Sequence, residues 1–263
     1  MSLLARILAE KARELPGLRA RRLPAPPPRR AVELGRRAGG PLALIAEFKR
    51  RSPSAGELSR ALSLEERVAR YARGGARAVS VLTDGAFFGG RFEDLTAARA
   101  AACAEGRALP ILCKDFIIDE AQLDAARAFG ADLALIIVRC LAPARITRLV
   151  GAARERGLEP LVEVVTEDEA RLALDAGARL IGVNARDLDT LALDAARAAG
   201  VLARLPAQVV AVHLSGLRTP ADLAQVAGGR AEAALIGEAL MRADDPEPLL
   251  AAMVAAARGP SAP

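Results

Sequence analysis

Several charged residues close runs that are otherwise apolar. Glu47 and Lys49 end "LALIAEFK", Lys114 ends "LPILCK", and Glu163 sits within "EPLVEVV". Side chains two apart on a strand point the same way, so Glu47 and Lys49 share a face. Lysines and glutamates gathered in a partly buried place perturb one another's proton affinity, as general acids and bases require. Asn184 and Arg186 follow "ARLIGV", Ser215 and Gly216 follow "AQVVAVHL", and Gly237 and Glu238 follow "EAALI". Short glycine turns that feed helices offer free backbone N–H groups to anions. Singly, a charge at a strand end is usually solvated or ion-paired, and Arg50, Arg51 and Asp115 are read that way. As a set, the residues suit acid–base chemistry on a phosphorylated small molecule.

Only a closed arrangement of strands brings such ends together. Short β-like runs occur at "LALIAEF", "ARAVSVLT", "LPILCK", "ADLALIIV", "EPLVEVV", "ARLIGVN", "AQVVAVHL" and "EAALIG". Segments of helical period lie between them. "SLEE" and "TEDE" are capping-box patterns, "DEAQ" resembles one, and "TPAD" and "DPEP" place Pro at a first helical position. Gly74, Gly130, Gly157 and Gly177 stand where helices should stop. The expected fold is α/β, a (β/α)8 TIM barrel, in which chemistry is built at the C-terminal strand ends and phosphate sits after strands seven and eight. A doubly wound open sheet would want a GxGxxG loop after its first strand, and "EFKRRSPSAG" is not one. Ahead of the barrel, "SLLARILAEKARE" has Leu4, Ile7, Leu8 and Lys11 at helical spacing, and "LPAPPPRR" is a stiff linker. The expected division is a helical extension and linker over 1–40, a barrel over 41–258 and a disordered tail over 259–263.

Composition narrows the function. The 263 residues carry a net charge of +5, dispersed through arginine, with only 3% aromatic residues, so stacking partners for nucleic acid are scarce. Three cysteines without a CxxC pattern and a single histidine argue against a disulfide framework and against a metal site. No apolar run reaches membrane-spanning length and no signal-peptide core is present, which points to the cytoplasm.

The chain resembles the indole-3-glycerol-phosphate synthase family. The resemblance rests on "LIAEFKRRSPSAG", "VLTDGAFFGG", "LPILCKDFIIDEAQLDAARAFGADLALIIV", "PLVEVVTEDEARLALDAGARLIGVNARDL" and "ALIGEALMRADDP", and it takes in the N-terminal helix. It implies decarboxylating ring closure of 1-(2-carboxyphenylamino)-1-deoxyribulose 5-phosphate to indole-3-glycerol phosphate, carbon dioxide and water, in tryptophan biosynthesis. It implies no cofactor and no metal, and a loose association with neighbouring pathway enzymes. By their motifs, Lys114 matches the general acid of ring closure and Glu163 the base, with Lys49 and Glu47 as partners. The resemblance leaves open which lysine serves which step. Ser52, Asn184 and Arg186 match groups that hold the substrate, and Phe88 and Leu135 match apolar positions around its ring. Ser215, Gly216, Gly237 and Glu238 match the phosphate cradle.

One position departs from the family. A glutamate is expected before the Ser-Gly that closes the seventh strand, and Leu214 stands there, preceded by His213. Either the position is tolerant, or a local shift lets His213 partly substitute, or the chain is a divergent paralogue of altered activity, acting on or merely binding another phosphosugar. A neighbouring family, phosphoribosylanthranilate isomerase, would want a cysteine–aspartate pair. Cys113 is available, but alternation points it away from the mouth.

Overall fold

The computed structural model describes residues 2–36, 40–53, 56–58, 61–187 and 190–258; the expected tail over 259–263 lies outside them. Eight parallel strands close into a barrel: β1 (Ala43–Phe48), β2 (Ala78–Leu82), β3 (Ile111–Lys114), β4 (Leu133–Ile137), β5 (Glu159–Val164), β6 (Leu180–Asn184), β7 (Val210–Leu214) and β8 (Ala233–Ile236). Each coincides with one of the runs read from the sequence. β8 pairs back onto β1, with Ala46 opposite Ile236. The (β/α)8 expectation is met.

The runs are apolar on both faces because each face meets a different apolar layer. Leu44, Ala46, Cys113, Val162 and Ala211 point outward into the layer under the helices, whereas Ile45, Leu112, Leu161, Val212 and Leu235 fill the barrel. Continuing the inward set by two residues reaches Glu47, Lys114, Glu163 and Gly237. The charges therefore occupy the last inward position of their strands, above a packed floor.

Among the described residues, ten α-helices of five or more residues surround the barrel: α1 (Leu3–Ala20), α2 (Leu64–Arg73), α3 (Glu93–Ala104), α4 (Glu120–Ala128), α5 (Pro143–Glu155), α6 (Glu167–Asp175), α7 (Ala195–Arg204), α8 (Pro220–Ala227), α9 (Glu238–Arg242) and α10 (Pro246–Ala256), and a single helical turn, Gly85–Phe88, follows β2. The boxes at Ser63/Glu66 and Asp119/Gln122 form as read, and Thr219/Asp222 forms a third. At Thr166 only half a box forms. Its hydroxyl accepts from Glu169 N, but the Glu169 carboxylate reaches past the cap to Val165 N at 2.6 Å. Gly130, Gly157 and Gly177 take the left-handed conformation just beyond α4, α5 and α6.

The first helix runs further than its periodicity indicated. α1 continues through Pro16 to Ala20. The missing N–H leaves the carbonyl of Ala12 without its intrahelical donor, and Ala12 is exposed to water. α1 lies over the mouth of the barrel, where Leu4 and Ile7 join Phe116 and Leu135 in one apolar cluster. β1 must begin at the opposite end. The proline-rich segment makes that descent, and Arg30 N donates to Asp132 Oδ1 at 2.8 Å just before β4. Among the described residues, no helix is long and apolar enough to cross a membrane.

Candidate active site

The strand ends surround a cavity of about 150 Å³, open at the C-terminal face of the barrel. All the site residues read from the sequence line it. Glu47, Lys49 and Ser52 come from β1 and its loop, Phe88 from the turn after β2, and Lys114 and Leu135 from β3 and β4. Glu163, Asn184 and Arg186 follow from β5 and β6, and Ser215, Gly216, Gly237 and Glu238 from the last two turns.

Two ion pairs divide the mouth. Lys49 Nζ donates to Glu47 Oε1 at 2.8 Å, as the shared face of β1 requires. Glu47 is 2% exposed. Burial pushes its carboxyl up, but the Lys49 and Lys114 ammonium groups outweigh burial and hold it below the ordinary glutamate value. The backbone beneath this pair is pinned by Tyr71 of α2, whose hydroxyl donates to the Glu47 carbonyl at 3.0 Å. Gly237 closes in from β8. A Cβ at Gly237 would stand 2.4 Å from Glu47 Oε1 and 3.2 Å from Lys49 Nζ, so only a glycine leaves room for the pair.

In the second pair, Lys114 Nζ lies 3.8 Å from Glu163 Oε2. The other carboxylate oxygen accepts from Asn184 Nδ2 at 2.8 Å. Asn184 Oδ1 in turn accepts from Ser215 Oγ at 2.6 Å and from Arg186 N at 2.9 Å. This network fixes which way the amide points and holds Glu163 with one oxygen toward the lysine. It also accounts for the backbone of Ser215. Ser215 takes a left-handed φ of 66°, uncommon for a residue with a side chain, and its hydroxyl bridges Asn184 and the Arg186 amide (Oγ to Arg186 N 3.1 Å).

The turns after β7 and β8 complete one side. The Glu238 carboxylate accepts from Arg242 Nε at 3.0 Å, one turn along α9, and is thereby neutralised beside the Gly237 turn. The Arg186 guanidinium donates to the Leu191 carbonyl at 3.0 Å and holds the loop after β6 against the mouth.

The remaining strand-end charges are paired, as read. Arg50 pairs with Asp94 (Nη2 to Oδ1 2.9 Å), and Arg51 donates to the carbonyls of Gly85 and Ala86. Asp115 is buried against Lys11 and Thr83.

His213 does not substitute for the missing glutamate. It alternates with Leu214 on β7 and points to the outer layer, where its Nε2–H donates to the Ser215 carbonyl at 3.1 Å. Burial lowers its pKa below 6.5. Leu214 faces inward, 2% exposed, and its Cδ1 lies 2.6 Å from where a Cβ on Gly182 would stand. Leu214 therefore fills its position by packing over Gly182. Cys113 faces outward beside Thr83 Oγ1 at 3.4 Å, and burial pushes its thiol up to about 12, which leaves it protonated and outside the mouth.

Sequence reading missed part of the cavity wall. Leu4 and Ile7 of α1 line the cavity, as do Phe116 and Leu191. Phe116 was within reach, since it follows Lys114 by two residues on the same alternation. That α1 would cover the mouth had no local signal beyond its apolar stripe.

Comparison with known proteins agrees with this geometry. A model of the family described as "Indole-3-glycerol phosphate synthase" matches residues 5–253. A protein of that name from Mycolicibacterium gilvum is 45% identical over 93% of this chain and 87% of its own length. One from Saccharopolyspora erythraea is 42% identical over 94% and 89%. Among solved structures, tryptophan synthase from M. tuberculosis superposes with a TM-score of 0.62 at 17% identity, covering 84% of this chain and 95% of that one, which speaks to the barrel fold alone. The chain belongs to the indole-3-glycerol phosphate synthase family.

Proposed function

We propose that the mouth closes the five-membered ring of 1-(2-carboxyphenylamino)-1-deoxyribulose 5-phosphate, releasing carbon dioxide and water to leave indole-3-glycerol phosphate. The observation that carries this reading is the Lys114–Glu163 pair, an ammonium and a carboxylate 3.8 Å apart above an apolar floor, with the carboxylate steered by Asn184. The ring carbon bearing the carboxylate attacks the ketone carbon, and the ketone oxygen gains negative charge. Lys114 protonates that oxygen. The C–CO₂ bond then breaks, and its electrons restore the aromatic ring. Loss of the new hydroxyl as water needs an acid at the oxygen and a base at the departing proton. Glu163 takes the proton. Lys49, held by Glu47, stands as the acid.

Phe88, Phe116 and Leu135 give the aromatic ring an apolar bed, with the two phenylalanine rings 6.0 Å apart at 36°. Ser52, Asn184 and Arg186 supply polar contacts for the substrate, including its carboxylate. The turns at Ser215–Gly216 and Gly237–Glu238 stand where phosphate is held in barrels of this kind. A cytoplasmic setting accords with three cysteines that form no disulfide, and loose association with neighbouring pathway enzymes belongs to the same reading. The test is direct: incubate the purified protein with the carboxyphenylamino-deoxyribulose phosphate and follow indole fluorescence. Steady product formation is expected. Binding without turnover would favour the divergent paralogue.

A further inference from the structure

Lys11 is a cation where none is needed for solubility. It lies on the buried face of α1, 2% exposed. Its Nζ stands 2.9 Å from each of three carboxylate oxygens: Glu14 Oε2 on its own helix, Asp84 Oδ2 after β2 and Asp115 Oδ1 after β3. The Glu14 contact is a hydrogen bond, and the two aspartates pair with the ammonium at the same distance. Asp84 and Asp115 are themselves buried.

Each aspartate leads to a part of the mouth. Asp84 Oδ1 accepts from the amides of Phe87 and Phe88 at 2.7 and 3.1 Å, so it holds the short turn that carries Phe88. Asp115 directly follows Lys114, accepts from Thr83 Oγ1 at 2.6 Å and accepts from the Phe116 amide at 2.8 Å. One ammonium on α1 thus ties together the two loops that carry Phe88, Phe116 and Lys114. Ile7 and Leu4, one and two turns back along the same face of α1, form the adjoining wall of the cavity. The other ties of α1 lie nearer the surface: Arg19 to Asp119 at 2.7 Å, and Arg21 to Glu93.

We infer that Lys11 is a positioning residue of the active site: by docking α1 onto Asp84 and Asp115 it assembles the aromatic subsite and sets the Lys114 loop, so the N-terminal helix is a working part of the ring-binding half of the mouth. The inference rests on the ring-closing reading above. It separates the cavity into two halves. The half made by α1, Phe88 and Phe116 depends on Lys11. The half made by the turns after β7 and β8 does not.

That asymmetry gives a readout which a merely structural role would not move. Lys11→Met keeps most of the stem and removes the charge. Binding of two ligands is measured well below the melting temperature. One is the substrate analogue whose ketone is reduced to an alcohol, which carries both ring and phosphate; the other is glycerol 3-phosphate, which carries phosphate alone. The ring-bearing analogue should bind about tenfold or more weakly, and glycerol 3-phosphate within about twofold of wild type, because only contacts misplaced by the variant are lost. KM for the substrate should rise and kcat fall together. Lys11→Arg, which keeps the charge, should recover part of the ring-ligand affinity. Should Lys11→Met fail to fold, Asp84→Asn leaves Lys11 paired with Asp115 and Glu14 and should show the same selective loss. A lower melting temperature with both affinities unchanged would overturn the inference, as would equal loss for both ligands. Wild-type protein that neither binds the ring-bearing analogue nor turns over substrate would instead refute the ring-closing reading itself.

Discussion

Gly237→Ala should disable the Glu47–Lys49 pair while leaving the backbone of the turn after β8 intact. The added Cβ would stand 2.4 Å from Glu47 Oε1 and 3.1 Å from its Cδ, whereas ordinary contact begins near 3.4 Å. The carboxylate must retreat by about 1 Å, and it is buried and bonded to Lys49 Nζ at 2.8 Å. Lys49 Nζ is itself 3.2 Å from the new methyl and must follow. Misplacement of a reacting group by about 1 Å can cost about a hundredfold in rate. The backbone N–H of residue 237 survives the change. The expected outcome is kcat lowered by about two orders of magnitude, with inhibition by glycerol 3-phosphate changed less than about twofold. Steady-state kinetics by indole fluorescence, with glycerol 3-phosphate as a competitive probe, measure both. A kcat within about threefold of wild type, or a rise in KM and in the inhibition constant at unchanged kcat, would refute the reasoning.

Two further outcomes follow. Leu214→Glu places a carboxylate where Leu214 packs over Gly182, and at about 3 kcal/mol for an unpaired buried charge the melting temperature should fall by roughly 6–12 °C; an unchanged melting temperature with a faster rate would show that the slot still belongs to the ion-pair network. His213 is neutral in the fold because burial lowers its pKa, so the unfolded chain takes up its proton first as pH falls below 6.5 and stability is lost there. Between about pH 7.5 and 5.5, the melting temperature of wild type should therefore fall more steeply than that of His213→Gln, and parallel curves would contradict this.

Legibility in the sequence followed the range of the interaction that decides each feature. The strands were readable because apolar residues on both faces leave little alternative to a doubly covered parallel sheet. The mouth was readable because a period of two carries the inward set from Ile45 to Glu47 and from Leu161 to Glu163. Capping at Thr166 was only half readable, since two backbone donors compete for the Glu169 carboxylate and Val165 wins. Two features lay beyond local pattern. Lys11 sat on an apolar stripe with no visible partner, because Asp84 and Asp115 are brought to it by strands far along the chain. The absence of a glutamate at Leu214 was visible, but that Gly182 on the neighbouring strand accommodates the leucine requires the register Asn184 to Leu214.

The measurement that bears most directly on the central claim is turnover by Lys114→Ala, with carbon dioxide release and indole formation followed together. Lys114 borders the cavity and is partly exposed, so the variant should fold and still bind the reduced substrate analogue. Wild type should release one carbon dioxide for each indole formed, and the variant should lose about a hundredfold or more of both, as removal of a positioned general acid requires. Retention of more than roughly a tenth of the wild-type rate would contradict the assignment of ring closure to the Lys114–Glu163 pair.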